Sequence, residues 1–361
     1  MISIAQKPDL ERTLERFEAW WSCRIVDRPP VNINVKSKPV ELPYKQHASL
    51  RDRWLDVDYA LDCFEARLKG QVFVADTAPI FYANVGPEVC GTLLGCPLEF
   101  SEDTSWSKPI LSSCRQVLER RLDFHNEYWA AIRRGTDLSL QRGFGRWITG
   151  MPDLHTNLDL LAALRDPQEL CMELVDDLEG VHLATQYVTD LFPAIFDDIY
   201  DRLAIAGQPC TTWTPTLHAG HGMVLQSDFI ALISPAMFRQ VALPALVREM
   251  EFLETSLYHL DGPGALKHLD DILAIPRLNA VQWIYGAGRG SAKDWIDVYR
   301  RIQAAGKGLQ VNCQDIPEAL LLTRRLRPQG VWFCIGRSYT LDQVKEFLNL
   351  MEKWAAGKTV A

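Results

Sequence analysis

Ser256-Leu-Tyr-His-Leu260, Ala280-Val-Gln-Trp-Ile284, Gly308-Leu-Gln-Val-Asn312 and Gly330-Val-Trp-Phe-Cys-Ile335 are short apolar runs, and a stretch of helical spacing follows each one. A fifth run, Cys210-Thr-Thr-Trp-Thr214, precedes them. The spacing predicts helices near 235–254, 264–274, 292–305, 316–326 and 340–356. Ser234-Pro235, Ser291 with Asp294, Asp315 with Glu318, and Thr340 with Gln343 mark four helix starts, because an oxygen placed there accepts from backbone N–H groups that have no helical partner. Gly306 and Gly357 mark two helix ends. Strand-then-helix repeats require a parallel sheet, since parallel neighbours are joined by a crossover helix.

The same alternation extends towards the N-terminus. Leu10, Leu14, Phe17 and Trp21 lie on one face of a helix over 9–22, expected to cover one end of the fold as part of an N-terminal extension over 1–30. Pro29-Pro30 opens the alternating strand Val31-Asn-Ile-Asn-Val35. A helix follows over 49–69, then a strand Gln71-Val-Phe-Val-Ala-Asp76 that ends in a carboxylate. Residues 77–110 are irregular and rich in Pro and Gly, too long for an ordinary connection, and read as an inserted lid or binding loop. A long helix is expected from 108 to 134, leading to Leu138-Ser-Leu-Gln141, and Asp166-Pro167 with Glu169 opens another. About eight units counted without a compositional break predict one α/β domain over 1–361, a (β/α)8 TIM barrel whose site lies at the carboxyl ends of the strands. No Gly-x-Gly-x-x-Gly follows any strand, which removes the usual sign of a dinucleotide site.

Of the 361 residues 47% are hydrophobic, ample for one large core, and the net charge of −8 disfavours nucleic acid. Nine cysteines, an odd number, with no apolar leader at the start, are read as thiols of a soluble cytoplasmic protein. No run approaches the roughly eighteen apolar residues of a membrane helix. The acidic surface permits a homodimer.

His259 and Asp261 are two apart, so on a strand both face the same side. Cys334 ends the last strand, which a closed barrel places beside the first. These three either hold a metal or form a hydrogen-bonded His–Asp pair with a separate buried thiol. His218 and Asp228 lie in or beside a Gly-rich loop, and His155 with Asp153 is similar in kind; these are substrate-contact candidates. Tyr82, Trp147, Trp213, Trp283 and Tyr285 are the aromatic residues available to wall a pocket.

Ser227-Asp-Phe-Ile-Ala-Leu-Ile-Ser-Pro-Ala-Met-Phe-Arg-Gln-Val-Ala-Leu-Pro244 resembles the "D-x-x-x-x-(I/L)-S-P-x-x-F" stretch of the uroporphyrinogen decarboxylase superfamily. Tyr258-His-Leu-Asp-Gly262 is similar to the "H-x-C-G" of its zinc methyltransferases. Asn84-Val-Gly-Pro87, Gly95, Thr104-Ser-Trp106 and Pro152-Asp-Leu-His-Thr-Asn-Leu-Asp-Leu-Leu-Ala162 resemble its N-terminal half. The Arg-rich "M-R-Q-A-G-R" motif of the decarboxylase itself is missing between Trp20 and Lys38, so porphyrin decarboxylation is disfavoured.

The resemblance implies zinc on His259, Asp261 and Cys334, with Asp261 standing where the family has cysteine. It also implies Asp76 or Asp228 as the catalytic carboxylate, orienting substrate or handling a proton. Asp153-Leu-His155 begins like a corrinoid-binding motif but lacks its glycine, so a corrinoid would arrive on a separate protein. The expectation is a metal-dependent methyltransferase or demethylase acting on a small organic substrate, with Tyr82, Trp147, His155, His218 and Trp283 in contact with it. A metal-free decarboxylase built on Asp76, or a non-catalytic small-molecule binder, is the alternative.

Overall fold

A computed structural model describes residues 2–358. Among these the strands are, in chain order, β1 (Val31–Val35), β2 (Ile80–Tyr82), β3 (Leu98–Phe100), β4 (Ser105–Ser107), β5 (Ile148–Gly150), β6 (Gly222–Gln226), β7 (Thr255–Asp261), β8 (Ala280–Ile284), β9 (Gly308–Cys313) and β10 (Val331–Tyr339). Six of them form one curled parallel sheet in the order β1-β10-β9-β8-β7-β6. β2 and β5 form a separate parallel pair, and β3 and β4 an antiparallel one. No described helix is long and apolar enough to cross a membrane.

Side chains alternate across the sheet, as a period of two demands. Tyr258 and Leu260, Val281 and Trp283, Leu309 and Val311, Val331 and Phe333 pack into the large core shared with the surrounding helices. Their neighbours Val224, Leu257, Ala280 and Trp332 point the other way and pack with Leu14, Phe17, Trp20 and Trp21 of helix α1 (Leu10–Trp21). Trp20 Nε1 donates to Gly330 O at 2.8 Å and Trp21 Nε1 to Leu217 O at 3.0 Å, so α1 seals the amino end of the sheet. One step further along the strands the concave face turns polar.

The C-terminal half agrees closely with the expected helices. Ser234, Asp315 and Thr340 each accept a backbone N–H, and Ser291 with Asp294 and Thr340 with Gln343 form capping boxes. Gly306 and Gly357 sit at φ +72°, where only glycine is unstrained.

Four expectations fail further upstream. Cys210–Thr214 is not a sheet strand; it bridges back to His218 and gives Thr211 O to Met151 N at 2.7 Å. Gly150 permits this approach, since a Cβ there would stand 3.0 Å from Thr211 O. The strand after it is Gly222–Gln226, whose fully buried, non-alternating pattern hid its period. Residues 71–79 are not a strand either, and Asp76 precedes β2 rather than ending it. The helix expected over 108–134 is a turn of 3₁₀ at Cys114–Glu119 followed by a helix at Glu127–Arg142, which absorbs Leu138–Gln141. Asn126 sets that start by accepting from Tyr128 N and Trp129 N. Residues 77–110 are not one long loop: they hold β2, the short helix Val89–Thr92, β3 and β4.

Candidate functional site

In register across neighbouring strands, Gln226 pairs with His259, His259 with Gln282, and Gln282 with Gln310. These residues share the parity of the α1-facing side chains but lie nearer the carboxyl ends. His259 Nδ1 is hydrogen-bonded to Gln282 Oε1. An amide oxygen can only accept, so Nδ1 is the donor in this bond and Nε2 is the ring nitrogen not engaged by Gln282. The edge of Trp213 meets the His259 ring at 5.3 Å between centroids.

Two carboxylates reach this histidine, one from the turn after β6 and one from the end of β7 itself. Asp228 follows β6 and Asp261 ends β7, and the ligand atoms of Asp228, His259 and Asp261 lie within 4.8 Å of one another. His155, Asp159 and Asp228 satisfy the same spacing, so Asp228 belongs to both groups. Asp159 is buried and accepts Asp228 N at 2.8 Å and Phe229 N at 2.9 Å, which positions the loop carrying Asp228. His155 Nε2 lies 3.3 Å from Asp153 Oδ2, and Gln226 Nε2 donates to Asp153 Oδ1 at 3.2 Å.

Burial alone would lower the His155 pKa, but the bond to Asp153 and the charges of Asp159 and Asp228 outweigh it and raise it to about 9. Burial, then the Asp228 charge, raises Asp159 to about 6. Asp153, Asp159, Asp228 and Asp261 thus face only two imidazoles, an arrangement that gains from a cation. The donor set of two carboxylates and one imidazole suits zinc or another divalent first-row metal.

Beside this cluster a cavity of about 520 Å³ opens over the ends of β1, β8, β9 and β10. Trp213, Gln282, Tyr285, Gln310, Asn312 and Cys334 are among its walls. Gln282 therefore touches both places, bonded through its oxygen to His259 and lining the cavity.

A solved structure described as a methyltransferase from Methanosarcina mazei superposes on this chain with a TM-score of 0.58, covering 93% of this chain and 97% of that one at 12% identity. The likeness is one of fold. No protein-family model matches the sequence, and no curated protein matches it.

The structure brings together His259, Asp261, Asp228 and His155 of the expected site residues. Cys334 is not in either ligand group among the described residues. Its thiol accepts from Gln310 Nε2 at 3.2 Å, and burial, only partly offset by that bond, pushes its pKa up to about 12, so it stands as a neutral cavity wall.

Asp76 lies at the opposite end of the sheet. It accepts Val31 N at 2.8 Å at the start of β1 and is ion-paired with Arg28 at 2.5 Å and Arg16 at 3.0 Å, fully buried. A carboxylate so occupied is a tie between α1 and β1; Thr77 beside it lines the cavity, but Asp76 itself does not. His218 is also at the amino end, before β6, bonded to Glu18 of α1 at 3.0 Å. Trp283 packs outwards against Trp295, and Trp147 packs against Phe64 with its Nε1 on Ser139. Neither Trp147 nor Trp283 lines the cavity. Tyr82 ends β2 and lines a different depression, with Tyr59 and Phe64; burial and then the Asp153 charge raise its pKa.

Asp159, Gln226, Gln282 and Gln310 escaped the sequence reading. Their signals were present: Asp159 lies four residues after His155, in the first turn of the helix Asn157–Arg165, and the three glutamines share strand positions with His259.

Proposed function

We propose that this chain is a metal-dependent enzyme of methyl transfer or demethylation acting on a small organic substrate, a member of the uroporphyrinogen decarboxylase superfamily. On this reading the whole chain is one domain, and β2 with β5 completes the curled sheet into a (β/α)8 barrel. Asp76 N donating to Val31 O and Met151 N to Thr211 O support that closure from both sides.

The observation that carries the proposal is the gathering of Asp228, His259 and Asp261 at the carboxyl ends of the strands, with His259 presenting Nε2. The family motifs, together with the fold likeness to the Methanosarcina methyltransferase, favour methyl transfer over other metal chemistry. A zinc ion on these residues would act as a Lewis acid towards a substrate heteroatom. Gln282 holds the histidine tautomer, and Asp159 holds the loop that carries Asp228. His155, whose pKa its carboxylate neighbours raise, stands beside Asp228 as a proton donor. With Asp261 where the family has cysteine, and Asp228 gathered with it in place of the Cys334 thiol, the site is harder, which favours an oxygen or nitrogen heteroatom over sulfur. The metal-free decarboxylase reading depends on Asp76, whose ion pairs beneath the sheet do not support it.

A separate corrinoid protein is proposed as the methyl partner, and the cytoplasm as the compartment, where the nine free cysteines stay reduced. Elemental analysis of the purified protein tests the reading: about one divalent metal per chain is expected, lost in Asp261→Ala. Protein without stoichiometric metal, or metal indifferent to Asp261, would overturn it. Methyl transfer from a neutral methoxylated donor to added cob(I)alamin tests the reaction.

A further inference from the structure

The cavity beside the histidine is lined by six carboxamides, Asn32, Asn34, Gln282, Gln310, Asn312 and Gln314, and no Asp, Glu, Lys or Arg lines it. We infer that it binds the body of the substrate as an uncharged ring compound bearing amide or hydroxyl groups, and rejects ionic analogues. This rests on the proposed placing of substrate at the carboxyl ends of the strands.

Three of its wall residues carry a buried polar atom with no protein partner: Gln310 Oε1, Trp213 Nε1 and Thr214 Oγ1. Gln310 is only 3% exposed and spends its other amide end on the Cys334 thiol, so whichever way the amide is turned one end faces no protein group. An unsatisfied buried donor or acceptor is costly, and a ligand that supplies the missing hydrogen bond removes the cost.

An ionic ligand would leave its hydration behind and meet no counter-charge in this wall. A neutral ligand loses little and pairs with amides that both donate and accept. Trp213 and Tyr285 supply flat walls on which a ring can lie. The volume of about 520 Å³ is that of an ordinary small-molecule site.

Benzamide, benzoate and benzamidine share one shape and differ in charge, and xylose is a neutral ring with hydroxyls only. Binding of each is measured by ligand-observed NMR titration on the intact wild type, Gln310→Leu and Gln310→Glu. Benzamide or xylose is expected to bind at least tenfold more tightly than either ion, and to lose about tenfold in Gln310→Leu. Benzamide preference assigns an amide-bearing substrate and xylose preference a hydroxyl-bearing one; both support the inference. Gln310→Glu keeps the size of the side chain and is expected to shift preference to benzamidine. Benzoate or benzamidine binding wild type as tightly as the neutral probes, no probe binding, or binding unchanged in both variants would overturn it.

The metal reading is separable. If Asp261→Ala loses metal yet keeps neutral-probe binding, both stand. If wild-type protein has no metal but prefers benzamide, only the metal reading falls, and a metal-loaded protein that selects ions loses only this inference.

Discussion

Gln282 accepts a hydrogen bond from the Nδ1 of His259 on the adjacent strand, with the two residues in direct register between β8 and β7. Neither partner is mobile: both are held by strands deep in one sheet. The bond presets the imidazole for a ligand at Nε2. Gln282→Leu is therefore expected to keep the fold and weaken metal binding by about 10- to 100-fold, the usual effect of removing a partner behind a metal-bound histidine. Competition against a chelating dye measures it, and an unchanged affinity would show that the histidine needs no such support.

On the proposed reading Asp228 takes the ligand place that the sequence assigns to Cys334. Asp228→Ala is expected to strip the metal, and Cys334→Ser to retain it, because the thiol lies outside both ligand groups. Elemental analysis of the two variants decides between the ligand sets.

Glu249 accepts from Thr156 Oγ1 at 2.5 Å and Asn157 Nδ2 at 3.0 Å, yet it is completely buried, and burial raises its pKa from 4.5 to about 7. An acid whose folded pKa is raised favours the folded state while protonated. Its contribution is complete below about pH 4.5 and is lost as pH rises through about 7, a span on the order of 3 kcal/mol. Glu249→Gln, neutral at every pH, is expected to raise Tm at pH 8 and to flatten the decline between pH 4.5 and 7. Thermal melts across that range would show it, and a variant less stable than wild type at pH 8 would contradict it.

Arg28→Met removes one partner of the buried Asp76 carboxylate. Uncompensated buried charge predicts a loss of about 3–5 kcal/mol in denaturant unfolding. Metal content and probe binding per folded molecule are expected to stay unchanged. A variant of full stability that binds no probe would return Asp76 to the active site.

The parallel sheet and the caps were legible because Ser234, Ser291, Asp315 and Thr340 combine local chemistry with a helical period, and both survive in the structure. β6 was not legible, since Met223, Val224 and Leu225 are buried on both faces and show no alternation. That His259 and Asp261 face the same side was legible from their spacing of two. Which further side chain gathers with them was not, because whether Asp228 or Cys334 comes near depends on how far the sheet curls. Asp76 misled for a related reason: an apolar run ending in a carboxylate looks like a strand end, and only Arg16 and Arg28, far away in sequence, reveal what the carboxylate holds. Trp283 was misplaced although its register was readable, since a residue next to Gln282 on a strand must face the other way.

The indole of Trp20 closes its hydrogen bond on Gly330, 310 residues further along the chain. During vectorial synthesis the aromatic face of α1 thus emerges long before the strands it seals exist, and its donor waits in water or in a holding partner's groove. Native closure becomes a late, non-local event. Nascent chains stalled before β10 would lack the Trp332 and Gly330 contacts of Phe17 and Trp20, so this face of α1 is completed only when the last strand has been made.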